Sequence, residues 1–301
     1  MTLVTQSVMR ERFYETAAEL IGRDEYIAVV IAEIGGSALM AAKRRHPDRV
    51  INVGIREQLM VAVAGGFALA GFRPIVHSYA PFVVERPFEM LKLDLGHQDV
   101  GAILVSVGAS YDSAASGRTH QSPEDVALVA ALPGWRVFVP GHPDEAELLL
   151  RKAAADHDRV YLRLAEQSNA VARPIVPGRF HVERRGRDAT VIVVGPLLDP
   201  VLEATADFDL TVLYATTARP FDRETLRSAA PTRDVILVEP YLAGTSSSEV
   251  ADALVDMPHR LLALGVRNVE HRSYGTWRDH NAAHGLDAAG IRARVLSFLA
   301  T

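Results

Sequence analysis

The chain has 301 residues, no cysteine and a net charge of −5 at pH 7. Its length predicts two domains, each able to bury a core of its own. The lack of cysteine excludes disulfides, thiolate zinc sites and a cysteine nucleophile, and it fits a reducing cytoplasm. Nucleic-acid binding calls for clustered basic charge, so we expect no nucleic-acid partner.

The first twenty residues predict an amphipathic helix and not a secretion signal, because charged residues such as Arg10, Glu15 and Glu19 interrupt the apolar ones. The longest apolar stretch, 59–72, falls short of the ~20 residues of a membrane-spanning helix. We expect a buried core helix there and no contact with a membrane.

Short runs rich in valine and isoleucine alternate with longer helical patterns. This alternation predicts parallel sheets covered by helices, an α/β fold. The predicted strands are 26–31, 50–53, 75–78, 102–107, 136–139 and 161–164, followed by 190–194, 210–214, 234–238 and 261–264. Residues 144–155 have helical spacing behind an acidic start.

The stretch 173–187 is rich in Pro, Gly and Arg and has little periodicity, which is typical of a domain boundary. We therefore predict two tandem α/β domains, 1–175 and 188–301, joined by a linker at 176–187.

A glutamate, Glu57, stands where the strand 50–53 gives way to the apolar helix 59–72. One interpretation is that it only complements the helix dipole in the first turn. The other is functional, because a carboxyl group on an apolar helix is easier to protonate and can then donate to a ring nitrogen.

Tyr79, Ala80, Pro81 and Phe82 follow the strand 75–78, at the end where open α/β sheets hold their ligands. An aromatic face there can stack on a flat heterocycle, although aromatic residues near strand ends are more often part of the core. Arg86 and Phe88 follow on the next turn. Their alternative, non-functional interpretations are an ordinary surface charge for Arg86 and core packing for Phe88.

His120 precedes Ser122, Pro123 and Asp125, which predict a helix start with a capping box. A loop histidine held in this way is a candidate proton shuttle or substrate hydrogen-bond donor. On these residues alone, an ordinary surface histidine is an equal alternative.

The order and spacing of these three segments resemble the pyrimidine-binding domain of transketolase and deoxyxylulose phosphate synthase. The resemblance implies that Glu57 activates thiamine diphosphate, that Phe82 stacks on its aminopyrimidine ring, with Arg86 and Phe88 beside it, and that His120 contacts the substrate. It covers nearly the whole chain, including a C-terminal transketolase domain.

The family's Gly-Asp-Gly and distant Asn, which hold magnesium and the diphosphate, have no counterpart because the sequence contains no Gly-Asp-Gly. The chain also begins directly with the helix that opens the pyrimidine domain. The resemblance therefore implies that this chain is the C-terminal subunit of a split transketolase that uses thiamine diphosphate and Mg²⁺. An N-terminal partner subunit would supply the ligands of the diphosphate and the metal, in an α2β2 assembly.

Two departures from the family concern the substrate. Ser116 stands where transketolases have an aspartate that contacts the substrate, and Glu166 stands where they have an arginine that binds its phosphate. A carboxylate repels a phosphate and lacks the arginine fork. We hypothesise an unphosphorylated or atypical substrate, one that is cationic or is held at a different point. Alternatively, Glu166 is rotated away from the substrate, or Arg86, Arg118 or Arg163 replaces the lost arginine.

The function expected from the resemblance is transfer of a two-carbon ketol unit from a ketose to an acceptor, with Glu57 and His120 as catalytic residues. Ser116, Arg118, His120 and Glu166 are the expected substrate-binding residues. The alternatives are the β subunit of a 2-oxo acid dehydrogenase and a noncatalytic regulatory subunit.

Overall fold

A computed structural model describes residues 8–230, 232–270 and 272–300. Its strands are β1 Ile27–Ile31, β2 Val50–Asn52, β3 Arg73–Tyr79, β4 Ile103–Val107, β5 Trp135–Phe138, β6 Arg159–Arg163, β7 His181–Arg184, β8 Thr190–Val194, β9 Thr211–Ala215, β10 Thr217–Arg219, β11 Asp234–Leu242 and β12 Arg260–Val266.

The α-helices are α1 Val8–Arg23, α2 Met40–Arg45, α3 Glu57–Leu69, α4 Phe88–Met90, α5 Asp125–Ala130, α6 Pro143–Ala154, α7 Leu198–Ala204, α8 Arg223–Ala229, α9 Ser247–Ala253, α10 Trp277–His284 and α11 Ala288–Leu299. Two π-helical segments, Pro81–Glu85 and Leu91–His97, flank α4. Two 3-10 turns, Ala114–Ser116 and Arg118–His120, lie in the loop before α5.

The strands form two sheets, and both are mainly parallel, as predicted. The first has the order β10-β5-β6-β4-β3-β1-β2 and the second the order β12-β11-β8-β9-β7. β10 pairs antiparallel with β5, and β7 pairs antiparallel with β9; the other pairs are parallel. The chain thus consists of two tandem α/β units covered by helices.

Both faces of the first sheet are apolar because its strands are covered on both sides. In β4, Ile103 and Val105 belong to one apolar cluster and Leu104, between them, belongs to the other. The cluster that contains Ile103 also takes in the buried face of α1, where Phe13 and Ala17 are four residues apart. The predicted amphipathic helix is confirmed from Val8 onward, and residues 1–7 lie outside the described part of the chain.

Two strands were not predicted. β7 lies inside the segment predicted as a linker, 176–187, and β10 lies inside a loop between predicted elements. Both are short antiparallel edge strands, and all four residues of β7 are only partly buried, so neither has an apolar run. The limits of the two domains stay a prediction.

The predicted capping box at α5 is wrong. Its N-cap residue is Glu124, which makes no side-chain capping bond. The hydroxyl of Ser122 instead donates to Oε1 of Glu85 at 2.6 Å. Asp125 is fully buried and accepts a hydrogen bond from Nε of Arg163 at 2.7 Å. These tertiary contacts replace the local ones.

None of the helices in the described residues has the length and apolar character needed to cross a membrane.

Candidate active site

Glu57 is the first residue of α3, at the carboxyl end of the first sheet. The chain turns from β2 into α3 through Gly54, whose φ of 71° favours glycine. The side chain of Asn52 accepts a hydrogen bond from the Gly54 amide at 3.0 Å and so holds the turn. The carboxyl group of Glu57 is 5% exposed, and the helix N-terminus favours its negative charge.

Phe82 and Arg86 lie one helical turn apart in and after the π-helical segment that follows β3. Residues four apart share a helix face. Cζ of Arg86 lies 4.0 Å from the centroid of the Phe82 ring, a cation–π contact. The same guanidinium donates from Nη1 to Oε1 of Glu57 at 2.8 Å. Arg86 therefore joins the predicted glutamate to the predicted stacking ring.

His120 completes this group. Its ring centroid is 5.2 Å from that of Tyr79 and 5.1 Å from that of Phe82, in both cases near edge-to-face. Nδ1 of His120 lies 2.9 Å from Oγ1 of Thr119. Partial burial, and to a lesser extent the charge of Arg86, lower the pKa of His120. The neutral imidazole, with one donor and one acceptor nitrogen, is thus favoured at pH 7.

The loop that carries His120 is held in place by hydrogen bonds of the residues that follow it, Ser122 and Asp125. Ser122 donates to Glu85, and burial raises the pKa of that carboxyl group. Behind the loop, Asp125 accepts hydrogen bonds from Arg163 and from the hydroxyl of Tyr161, both at 2.7 Å. This buried network holds the loop against the ends of β4 and β6.

The four residues Glu57, Phe82, Arg86 and His120 therefore form one cluster. Phe88 is at the start of α4, partly buried against the apolar cluster beneath, and has no aromatic contact with Phe82 among those found. Its expected contact with a cofactor remains a prediction.

A cleft of about 940 Å³ opens beside Tyr79. Ser116 and Glu166 both line it, as do Tyr79 and residues of α1. Ser116 and Glu166, the two departures from the family pattern, therefore line the same cleft. The ring of Tyr79 lines the cleft and also contacts His120, so Tyr79 lies between the cleft and the cluster.

Among the charged residues that line this cleft are Glu166, Asp112 and Arg10. Burial raises the pKa of Glu166, and the nearby charge of Arg10 opposes that rise. Burial also raises the pKa of Asp112 to about 7, and this carboxylate accepts a hydrogen bond from the Glu166 amide at 2.9 Å. Arg10 donates to the hydroxyl of Tyr14 at 2.9 Å.

Sequence reasoning missed Arg10 and Asp112. The four-residue spacing of Arg10 and Tyr14 indicates a shared helix face. It does not indicate that this face lines the same cleft as Glu166, because that depends on how α1 lies across the sheet.

The arginines proposed to replace the lost phosphate contact are engaged elsewhere. Arg163 is 1% exposed and paired with Asp125. Arg118 lies apart from the cluster, on a second cavity of about 440 Å³, and pairs with Glu124 at 2.6 Å and Glu270 at 3.6 Å. Within the described residues, no group of three or more His, Asp or Glu side chains able to hold a metal ion is found.

Two tandem α/β domains with mainly parallel sheets define the class of this fold. Within that class, the chain belongs to the transketolase family: residues 6–170 match the transketolase pyrimidine binding domain, and residues 178–291 match the transketolase C-terminal domain.

Similar proteins cover the chain almost completely. It is 48% identical over 291 residues to the uncharacterized 33.6 kDa protein in the fasciation locus of Rhodococcoides fascians, covering 95% of this chain and 93% of that protein. It is 30% identical to the 1-deoxy-D-xylulose-5-phosphate synthase of Polaromonas sp., covering 87% of this chain but only 42% of that enzyme. The chain thus spans less than half of the length of this synthase.

Among solved structures, the chain is similar to a split gene transketolase determined as an inactive β4 tetramer. The TM-score is 0.85 with 27% identity, covering 97% of this chain and 98% of that one. The transketolase of Campylobacter jejuni shares the fold, with a TM-score of 0.77 over 95% of this chain and 46% of that enzyme. The chain is thus similar to the C-terminal subunit of a split transketolase-like protein and belongs to a family of thiamine diphosphate-type enzymes.

Proposed function

We propose that this chain is the pyrimidine-binding subunit of a thiamine diphosphate-dependent transferase that moves a two-carbon ketol unit from a ketose to an acceptor. The observation that carries the proposal is the buried carboxyl group of Glu57, joined through one guanidinium to the face of Phe82. A carboxyl group beside an aromatic face fits an aminopyrimidine, which needs a partner for its ring nitrogen and a surface for its plane.

In this proposal each residue has one task. Glu57 holds a proton at the ring nitrogen of the aminopyrimidine, and Phe82 supports the ring. Thiamine diphosphate, when bound, supplies the nucleophilic carbon that cleaves the bond next to a ketose carbonyl. His120, in its neutral form, hydrogen-bonds a substrate oxygen at the point where negative charge develops.

A partner subunit is part of the proposal. The sequence contains no Gly-Asp-Gly, so we assign the diphosphate and Mg²⁺ ligands to an N-terminal subunit. The match to nearly all of one chain of a split gene transketolase supports this division, and an α2β2 assembly in the cytoplasm is the form we propose.

The substrate we propose is a sugar without a phosphate at the end held near Glu166. Glu166 and Asp112 line the cleft together, and Arg10 is shared with two tyrosine rings, since its Cζ lies within 5.7 Å of both Tyr14 and Tyr79. The similarity to synthases of a deoxysugar phosphate makes the phosphorylated sugar the natural comparison substrate.

The test is to reconstitute the chain with a separately encoded chain that carries Gly-Asp-Gly, in the presence of thiamine diphosphate and Mg²⁺. Ketose cleavage that depends on both chains is the expected result. Consumption of pyruvate without ketose cleavage would instead indicate a 2-oxo acid dehydrogenase. Absence of turnover with a cofactor-loaded partner would indicate a noncatalytic subunit.

A further inference from the structure

The guanidinium group of Arg86 makes the two contacts that we propose for the aminopyrimidine ring: a hydrogen bond to Glu57 and stacking on Phe82. Nη1 lies 2.8 Å from Oε1 of Glu57, and Cζ lies 4.0 Å from the centroid of the Phe82 ring. A guanidinium is flat, delocalised and rich in N–H donors, so it can stack and donate at once. A protonated aminopyrimidine has the same properties.

The contact also accounts for the burial of the Glu57 side chain. The Glu57 side chain is 5% exposed, and a buried carboxylate without a partner is strongly destabilising. Arg86 supplies that partner. Its own side chain is 46% exposed, so the guanidinium can turn into water without leaving a buried charge of its own.

The backbone around Arg86 is held by hydrogen bonds, whereas its side chain is partly exposed. Nε2 of Gln58 lies 3.4 Å from the Arg86 carbonyl oxygen, and the Arg86 amide donates to the carbonyl of Pro81 at 3.1 Å. Movement of the Arg86 guanidinium into solvent therefore requires only side-chain rotation and no change of the backbone.

We propose that the Arg86 side chain occupies the aminopyrimidine place in the free chain and is exchanged for the ring when the cofactor binds. This inference rests on the proposed function. It gives Arg86 a role in regulating the site, in place of the direct cofactor contact expected from the sequence. Glu57 passes from one flat cation to another, so the carboxylate is partnered before and after the exchange.

The exchange makes a definite prediction about affinity. If Arg86 competes with the ring, its removal tightens binding of the aminopyrimidine. If Arg86 instead stays on Phe82 and supports the bound ring, its removal weakens binding. The sign of the change therefore separates a competing side chain from a supporting one.

The experiment is calorimetric titration of the full chain with thiamine, which carries the aminopyrimidine ring and no diphosphate, at pH 7.5. Arg86→Gln should bind thiamine about tenfold more tightly than the wild type, since a cation–π contact and a half-buried ion pair are no longer displaced. Arg86→Lys, which keeps the charge but loses the planar stack, should lie between them. Arg44→Gln, at an exposed arginine on α2, is the matched control.

A second readout follows the side chain itself. The Nε–H resonance of Arg86 should shift on addition of thiamine, because the ring current of Phe82 no longer acts on it. Equal or weaker binding by Arg86→Gln, with binding by the wild type retained, overturns the exchange and leaves the proposed function standing. If neither protein binds thiamine at any concentration, the proposed aminopyrimidine site falls, and the exchange falls with it.

Discussion

The ring of Phe82 lies near edge-on to the ring of His120, with 5.1 Å between the centroids and 69° between the planes. The proposed stacking surface and the proposed substrate donor are thus in direct contact. Because Arg86 lies over the same Phe82 ring, its charge also acts on the imidazole. The electrostatic state of His120 therefore depends on where the Arg86 side chain is.

This dependence can be measured by NMR titration of His120. Burial and the charge of Arg86 both lower its pKa. Arg86→Gln removes the second cause, so the pKa of His120 should rise toward its ordinary value in that variant. Arg44→Gln should leave it unchanged. An unaltered His120 pKa in Arg86→Gln would mean that the two side chains do not interact in solution.

Replacement of Glu57 tests the proposed chemistry. In the assembled complex, Glu57→Gln should lower kcat by about 10²- to 10⁴-fold, the usual range for loss of a positioned acid or base. The variant should fold, because the exposed Arg86 can turn to water. Glu89→Gln, at an exposed glutamate on α4, is the control. Near-normal turnover by Glu57→Gln would refute the role of Glu57.

Glu166 should determine how the enzyme treats phosphate. The wild type should favour a free ketose over its phosphorylated counterpart, and Glu166→Gln should raise kcat/KM for the phosphorylated sugar about tenfold, as removal of a nearby like charge does. The free ketose is the internal control. A strong wild-type preference for the phosphorylated sugar would contradict the proposed substrate.

Glu239, in β11, should make stability depend on pH. It is fully buried, and burial raises its pKa from 4.5 to about 7. The folded state therefore binds this proton more tightly than the unfolded state does. The contribution of Glu239 to the free energy of unfolding is thus fully present below pH 4.5 and is lost as the pH rises to about 7. The loss amounts to about 3 kcal/mol.

Urea denaturation of Glu239→Gln measures this loss directly. The neutral amide cannot ionise, so the variant should be more stable than the wild type at pH 8 and similar to it at pH 4.5. Asp112, whose pKa is also raised to about 7, is present in both proteins and cancels in the difference. A variant no more stable than the wild type at pH 8 would refute the assignment.

Much of the fold was predictable because its strands are buried on both faces. Continuous apolar runs gave β1, β4 and β8 within one residue at each end. β7 and β10 were missed because edge strands need no such run. The start of α3 at Glu57 was predicted to within two residues from the change of pattern alone.

The sequence allowed us to predict which residues form the candidate site, but not which of them contact each other. The sequence order indicated Glu57, Phe82 and His120, but the ion pair between Glu57 and Arg86 joins residues 29 positions apart. Likewise, the hydroxyl of Ser122 bonds to Glu85, 37 residues away, and not to its own helix. Such pairs depend on how elements pack, which local pattern does not specify.

The pairing of β10 with β5 has a consequence for how the molecule holds together. β10 comes from the second half of the chain but completes the outer edge of the first sheet. Cutting the chain at 176–187 and separating the pieces would leave bare those N–H and C=O groups of β5 that face β10, an edge prone to pairing with other chains. The first half therefore depends on the second for the outer edge strand of its sheet.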